Sequence, residues 1–318
     1  MKGIAFLCII YISRLCTCGE VRGRNSATRK QGRNGKGVES TVNKDNDPPT
    51  GVPSEPDGST LDLAEPNESL CYSFDYSLDD VPSRMIILRD GASVTSLTVG
   101  NTEIWASRDG VGCSIISVRL KDGEPVLVHV VVTVNGSGRS MTISKNMNKW
   151  TVGRSSGEFR NLRVETGSSS RFDIDLMLSE DSTNCRVFQA QLDGIPTRFY
   201  APKAGFNGKK VICGRSTIWQ CESTKCCRCR KEKKRATITR AHLKNDRPYL
   251  VQMTIKDSKD SADSYNFIYE DGNWKSINKI TFEVKRLALK KEYQKEQNTS
   301  DEDIPSDDSN ASTSDIDI

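Results

Sequence analysis

The residues of this 318-residue chain that could do chemistry are its cysteines, its two histidines and one basic run between Arg228 and Arg235. Cys226 and Cys229 stand as Cys-x2-Cys, the spacing of half a zinc site. Closing that site takes two further ligands, and the sequence has no second Cys-x2-Cys and no histidine pair. No metal and no cofactor are expected. His129 sits inside the apolar run "VLVHVVVTV" and His242 inside "RAHLK", settings that suit structural histidines. Phosphate-cradling glycine loops, nucleophile elbows and paired-histidine motifs are all missing, so the chain reads as no enzyme. The basic run gathers Arg228, Arg230, Lys231, Lys233, Lys234 and Arg235 around one acid. It fits a solvated hairpin tip, a contact for an acidic partner, or an import-like cluster that matters only in a host cytosol. "RGR" at Arg22 to Arg24 is followed by Asn25 where a minor-groove hook needs Pro, and the net charge is only +4. Nucleic acid is therefore not an expected partner.

The compartment decides how the cysteines read. Lys2, the apolar stretch Ile4 to Ile12 and the small residues Cys16 and Cys18 make a secretory signal peptide over residues 1–18. The apolar stretch is far short of the ~20 residues of a bilayer span, and no later stretch is apolar enough to span. Secretion of a soluble protein follows. Eight of the 11 cysteines lie beyond residue 18, an even number that favours disulfides in an oxidising compartment. Residues 19–58 and 297–318 carry no apolar period and read as a disordered arm and a disordered acidic tail, the latter with serines beside acids.

The elements between these ends are written twice. Residues 71–113 fall on 185–227 at an offset of 114, with 11 identities in 43 positions. Cys71, Asp79, Arg84, Gly100, Trp105 and Cys113 meet Cys185, Asp193, Arg198, Gly214, Trp219 and Cys227. "KDGEPVLV" at 121–128 meets "KNDRPYLV" at 244–251 at an offset of 123, so the second copy carries nine extra residues, within or beside the basic run. "TLDLAEP" at 60–66 matches "DIDLMLS" at 173–179 after a one-residue shift. Neither histidine recurs, since His129 meets Gln252 and His242 meets Arg119. The repeat predicts two homologous domains, at about 59–166 and 172–292. β-Branched, alternating segments split by Gly, Asp and Asn make both mainly β, a β-rich α+β class of small antiparallel domains. A terminal helix is expected to close the second, with Ser276 as cap and Ile277, Ile280, Val284 and Leu287 at helical steps, and a weaker one around Leu162 the first. Trp105 and Trp219 are expected to fill the cores, with Trp150 and Trp274 repeated behind them. The recurring pairs suggest one disulfide per domain, Cys71 with Cys113 and Cys185 with Cys227, buried thiols being the alternative. Cys213, Cys221, Cys226 and Cys229 belong to the second domain alone, with no pairing indicated.

The stretches "FYAPKAGFNGKKVICGRSTIW" and "FIYEDGNWKSINKITFEVKRLALK", and more loosely "VTSLTVGNTEIW" with "NKWTVG", resemble the FAINT domain, the domain frequently associated in Theileria. The resemblance covers about two thirds of the chain. It implies a protein of an intracellular tick-borne parasite, carrying a signal peptide and tandem copies and often sent to the host cell. It supplies no activity and no catalytic residue. The expected function is a secreted, non-enzymatic binding module for a host or parasite-surface protein. The alternative is an exported effector acting in the host cytosol or nucleus through residues 228–235. Neither the partner nor the oligomeric state is legible.

Overall fold

The computed structural model describes residues 59–107, 112–134, 137–147, 149–153, 161–166, 169–221, 234–258 and 261–300. The signal peptide, the arm, residues 301–318 and most of the basic run lie outside them. The first nine strands are β1 (Ser59–Asp62), β2 (Cys71–Leu78), β3 (Val81–Leu88), β4 (Val94–Val99), β5 (Thr102–Ala106), β6 (Cys113–Lys121), β7 (Glu124–Val134), β8 (Ser137–Asn146) and β9 (Lys149–Val152). The next nine are β10 (Ser170–Asp175), β11 (Cys185–Leu192), β12 (Ile195–Pro202), β13 (Phe206–Cys213), β14 (Ser216–Gln220), β15 (Arg235–Lys244), β16 (Arg247–Lys256), β17 (Ala262–Glu270) and β18 (Asn273–Ile277). A helix, α1 (Lys279–Ser300), follows.

The second nine strands repeat the pairing of the first, with one addition: β13 also meets β15 at Gly208 and Ala236, which joins the second half into one nine-stranded sheet. β2-β3-β6-β7-β8-β9 form an antiparallel sheet, as do β11-β12-β15-β16-β17-β18. β1 runs parallel to β4 beside β5, and β10 runs parallel to β13 beside β14. In each half the three-strand group lies over the six-strand one. Leu61, Leu97 and Ile104 from the small sheet close on Ile86, Ile116, Val128 and Ile143 from the large one. Ile174, Val211 and Ile218 do the same over Tyr200, Val251 and Met253. The fold is therefore mainly β, as the alternation predicts.

Turn chemistry explains much of the sequence repeat. β2 returns into β3 through Asp79 (φ 56°) and Asp80 (φ 63°), and β11 into β12 through Asp193 (φ 54°) and Gly194 (φ 74°). Two-residue hairpins need positive φ at both positions, which Asp and Gly tolerate. The carboxylate of Asp62 accepts the amides of Ala64 and Gly100 at 2.9 and 3.0 Å, and Asp175 accepts those of Met177 and Gly214 at 3.0 and 3.3 Å. The same acid thus clips the same strand end in each half.

The halves join through the outer faces of β2–β3 and β11–β12. Tyr76, Leu78, Met85, Ile87 and Ile115 pack on Phe188, Ala190, Leu192, Phe199, Ala201 and Ile238. Phe74 stacks on Phe188, its own counterpart in the repeat, with ring centroids 4.2 Å apart. Leu78 and Leu192, Met85 and Phe199, and Ile87 and Ala201 are likewise counterparts. A contact in which each patch meets its own copy has the form of a two-fold interface, here within one chain.

Two expectations about helices are corrected. α1 is the one α-helix of the described residues, and it follows the second half. Residues 161–162 of the first half form a 3-10 turn. The cap of α1 is Asn278, whose side chain accepts the Thr281 amide at 2.9 Å, because Ser276 is still in β18. The packed face is also different. Phe282 and Leu289 sit with Ile195, Leu250 and Ile268, with Tyr293 beside them, while Ile280 and Val284 face outward. α1 runs through residues 297–300, the start of the expected tail.

Candidate functional site

At one end of the interface between the halves lies a polar cleft of about 250 Å³, lined by residues from both sides. The β2–β3 hairpin builds one wall. Asp80 accepts the Gly205 amide on its side chain at 2.9 Å and the Val164 amide on its carbonyl at 2.8 Å. Asp79 reaches across the interface to Lys256 and to Arg235 at 3.4 Å. Asp79 and Lys256 are 8% and 6% exposed, so this ion pair is buried. A buried pair adds little net stability, but losing either partner strands a charge. It ties the β2–β3 hairpin of the first half to β16 of the second.

Arg163, Lys203 and Arg235 line the same cleft, three cations against Asp79 and Asp80. Lys203 donates to the Ser182 carbonyl at 2.7 Å and lies 3.6 Å from Asp181. Arg235, the last residue of the basic run, opens β15 and also donates to the Asp257 carbonyl at 3.2 Å. Lys234 donates to the Tyr265 hydroxyl at 3.4 Å. The sequence-predicted basic patch therefore ends in this cleft. Arg228, Arg230, Lys231 and Lys233 lie outside the described residues. The arrangement can hold an acidic group, since cations dominate and the acids are held by protein donors. The cleft is illegible in sequence because its lining comes from four distant segments.

In the first half the cysteines are placed differently from the expected pair, and Cys227 of the second pair lies outside the described residues. Cys71 and Cys113 are both buried free thiols in the first core. Cys71 is paired with Leu88 on one side of β3, and β6, which Cys113 opens, pairs with the other side. About two strand spacings, near 10 Å, separate them, against the ~7 Å that a bridge spans. Burial pushes the Cys113 thiol up to about 12. Cys185 is buried and also raised to about 12, first by burial and then by Asp181. Cys213 and Cys221 are half-buried free thiols, and Cys226, Cys227 and Cys229 lie outside the described residues. Among the described residues no group of three or more His, Cys, Asp or Glu side chains could hold a metal. The four tryptophans do not fill the cores. Trp105 and Trp150 pack partly buried against the first, Trp219 and Trp274 against the second, and Ile104 and Ile218 take the buried positions.

Both histidines are buried on the large sheets. His129 meets the Thr142 hydroxyl at 3.0 Å, and burial, aided by Arg119, lowers its pKa to about 3. His242 meets the Thr197 hydroxyl at 2.8 Å, and burial with Arg240 and Arg286 lowers it well below the usual value. Above His242 a charged network ties α1 down. Arg286 donates to Glu283 at 3.1 Å and to Asp193 at 2.6 Å, with Arg240 buried beneath. Sequence reasoning missed this network because charged residues rarely face a sheet.

Residues 60–136 match the family profile of FAINT, a domain of unknown function, DUF529. The match spans β1 to β7, which agrees with the resemblance read from the first copy. No curated protein matches the chain, and no solved structure does. No helix of the described residues is long and apolar enough to cross a membrane.

Proposed function

We propose that this is a secreted, non-enzymatic parasite protein, built from two tandem FAINT-type β domains, that binds an acidic host or parasite-surface protein. The observation that carries the reading is the position of Arg235. It is the last residue of the basic run and lines the cleft between the halves, so the cleft's own cations stand next in the chain to the run. A cationic surface favours acidic partners and steers their approach. The strand-for-strand repeat supports duplication of one domain. The test is capture of partners from host-cell extract by the full chain and by a variant with Arg228, Arg230, Lys231 and Lys233 each changed to Glu. Recovery of one reproducible partner by the natural chain and its loss from the variant is expected. Equal recovery by both sinks the reading.

A second reading, an exported effector in the host cytosol or nucleus, draws support from the thiols. Cys71 and Cys113 are buried and too far apart to bridge, so the first half needs no oxidising compartment. Fractionation of infected cells separates the two readings. The effector reading predicts the mature chain in host cytosol or nucleus, and the binding-module reading predicts the parasite secretory path, surface or medium.

A further inference from the structure

α1 buries charges on its docked face and exposes aliphatic side chains on the other. Glu283 and Arg286 are 0% and 2% exposed, whereas Ile280 and Val284 are 64% and 56% exposed. Ile280, Val284, Ala288, Lys291 and Lys295 are all exposed and follow one another at helical steps of three and four, so they share one outward face. That face is aliphatic in its first half and basic in its second. A helix that buries two charges beside Phe282 and Leu289 and leaves other aliphatic side chains in water is arranged for a second contact.

Chemistry separates three occupants of this face. Three aliphatic side chains are too little apolar area to hold a helix in a lipid interface. A second copy of the face, paired antiparallel, would set Lys291 and Lys295 against the positive N-terminal end of the partner helix, and paired parallel would set lysine on lysine. An acidic polypeptide with aliphatic side chains fits both halves of the row. The sequence after α1 has that chemistry. Residues 301–318 hold seven acids, no Lys or Arg, and Ile304, Ile316 and Ile318. Their contour, up to about 60 Å, exceeds the roughly 30 Å from the end of α1 back to Ile280. We propose that this row is the docking surface for residues 301–318 of the same chain, isoleucines on Ile280, Val284 and Ala288 and acids toward Lys291 and Lys295. The proposal is independent of the cleft.

The test places the photoreactive residue benzoylphenylalanine at position 280 of the full chain, where exposure lets it replace Ile280 without disturbing the fold. Irradiation in dilute solution should give a monomeric adduct whose cross-linked peptide lies within residues 301–318. Adding Lys291→Glu and Lys295→Glu should cut the yield about three-fold or more, since each reversal turns an attraction to the acids of residues 301–318 into a repulsion. No adduct, an adduct elsewhere in the chain, a cross-linked dimer, or a yield indifferent to the two charge reversals would each overturn the proposal.

Discussion

Asp79 bridges the two halves through Lys256 and Arg235, and these neighbours set the cost of removing it. Asp79→Ala leaves the Lys256 ammonium buried with no carboxylate beside it, and should lower stability by about 3–5 kcal/mol. Denaturant unfolding of the two proteins checks this. Phe188 stacks between Phe74 and Phe199, at 4.2 and 4.9 Å. Phe188→Ala should cost about 3–5 kcal/mol from the lost burial and the cavity left behind. Gly208 packs so closely that an added Cβ would lie 2.6 Å from Ile174 Cδ1 and 3.1 Å from the Ala236 carbonyl. Ile174 can turn aside, but the backbone cannot, so Gly208→Ala should destabilise by roughly 1–3 kcal/mol in the same assay. At this scale the turn residues were legible, because Asp79 and Asp193 recur for a local backbone reason. Phe188 was only half legible. Its repetition marked it, but alternation in a strand does not say which face meets another domain.

Strands and helix differ in how far local pattern governs them. The strand order follows from hairpin turns and β-branched runs, and these are short-range signals. The orientation of α1 does not, because the sheet beneath it presents Arg240 and His242, and the helix answers with Glu283 and Arg286. A moment read from apolar spacing then points outward. Glu283→Leu alone takes the buried carboxylate from between Arg240 and Arg286, leaving only the half-exposed Asp193 near them, and should lower stability by about 3–5 kcal/mol. Replacing Arg240, Glu283 and Arg286 together by Met, Leu and Leu should leave it unchanged or raise it, by up to ~4 kcal/mol. Thermal unfolding of single and triple variants distinguishes this network from a simple ion pair. Asp193, half exposed, loses little when Arg286 goes.

The whole molecule carries two buried neutral histidines, and this sets its acid stability. Each folded pKa is depressed, that of His129 to about 3 and that of His242 below its usual value. The unfolded chain takes up protons below about pH 6.5 while the folded chain does not. Stability should therefore be intact above that pH and fall as acid is added, by about 1.4 kcal/mol per pH unit per histidine, down to the folded pKa values. Urea unfolding between pH 7 and 4 should show a shallower slope for a His129→Gln, His242→Gln variant. The joining of the two halves was beyond reach of the sequence, since the cleft draws Asp79, Arg163, Lys203 and Arg235 from segments that only the tertiary fold brings together.

The central claim is that this cleft and the basic run act as one binding surface. The most direct test is titration of the captured partner against the full chain and against Lys203→Glu, a cleft change at a part-exposed side chain. The account predicts weaker binding for Lys203→Glu, and an effect that does not add to that of reversing Arg228, Arg230, Lys231 and Lys233. An affinity untouched by Lys203→Glu would contradict it.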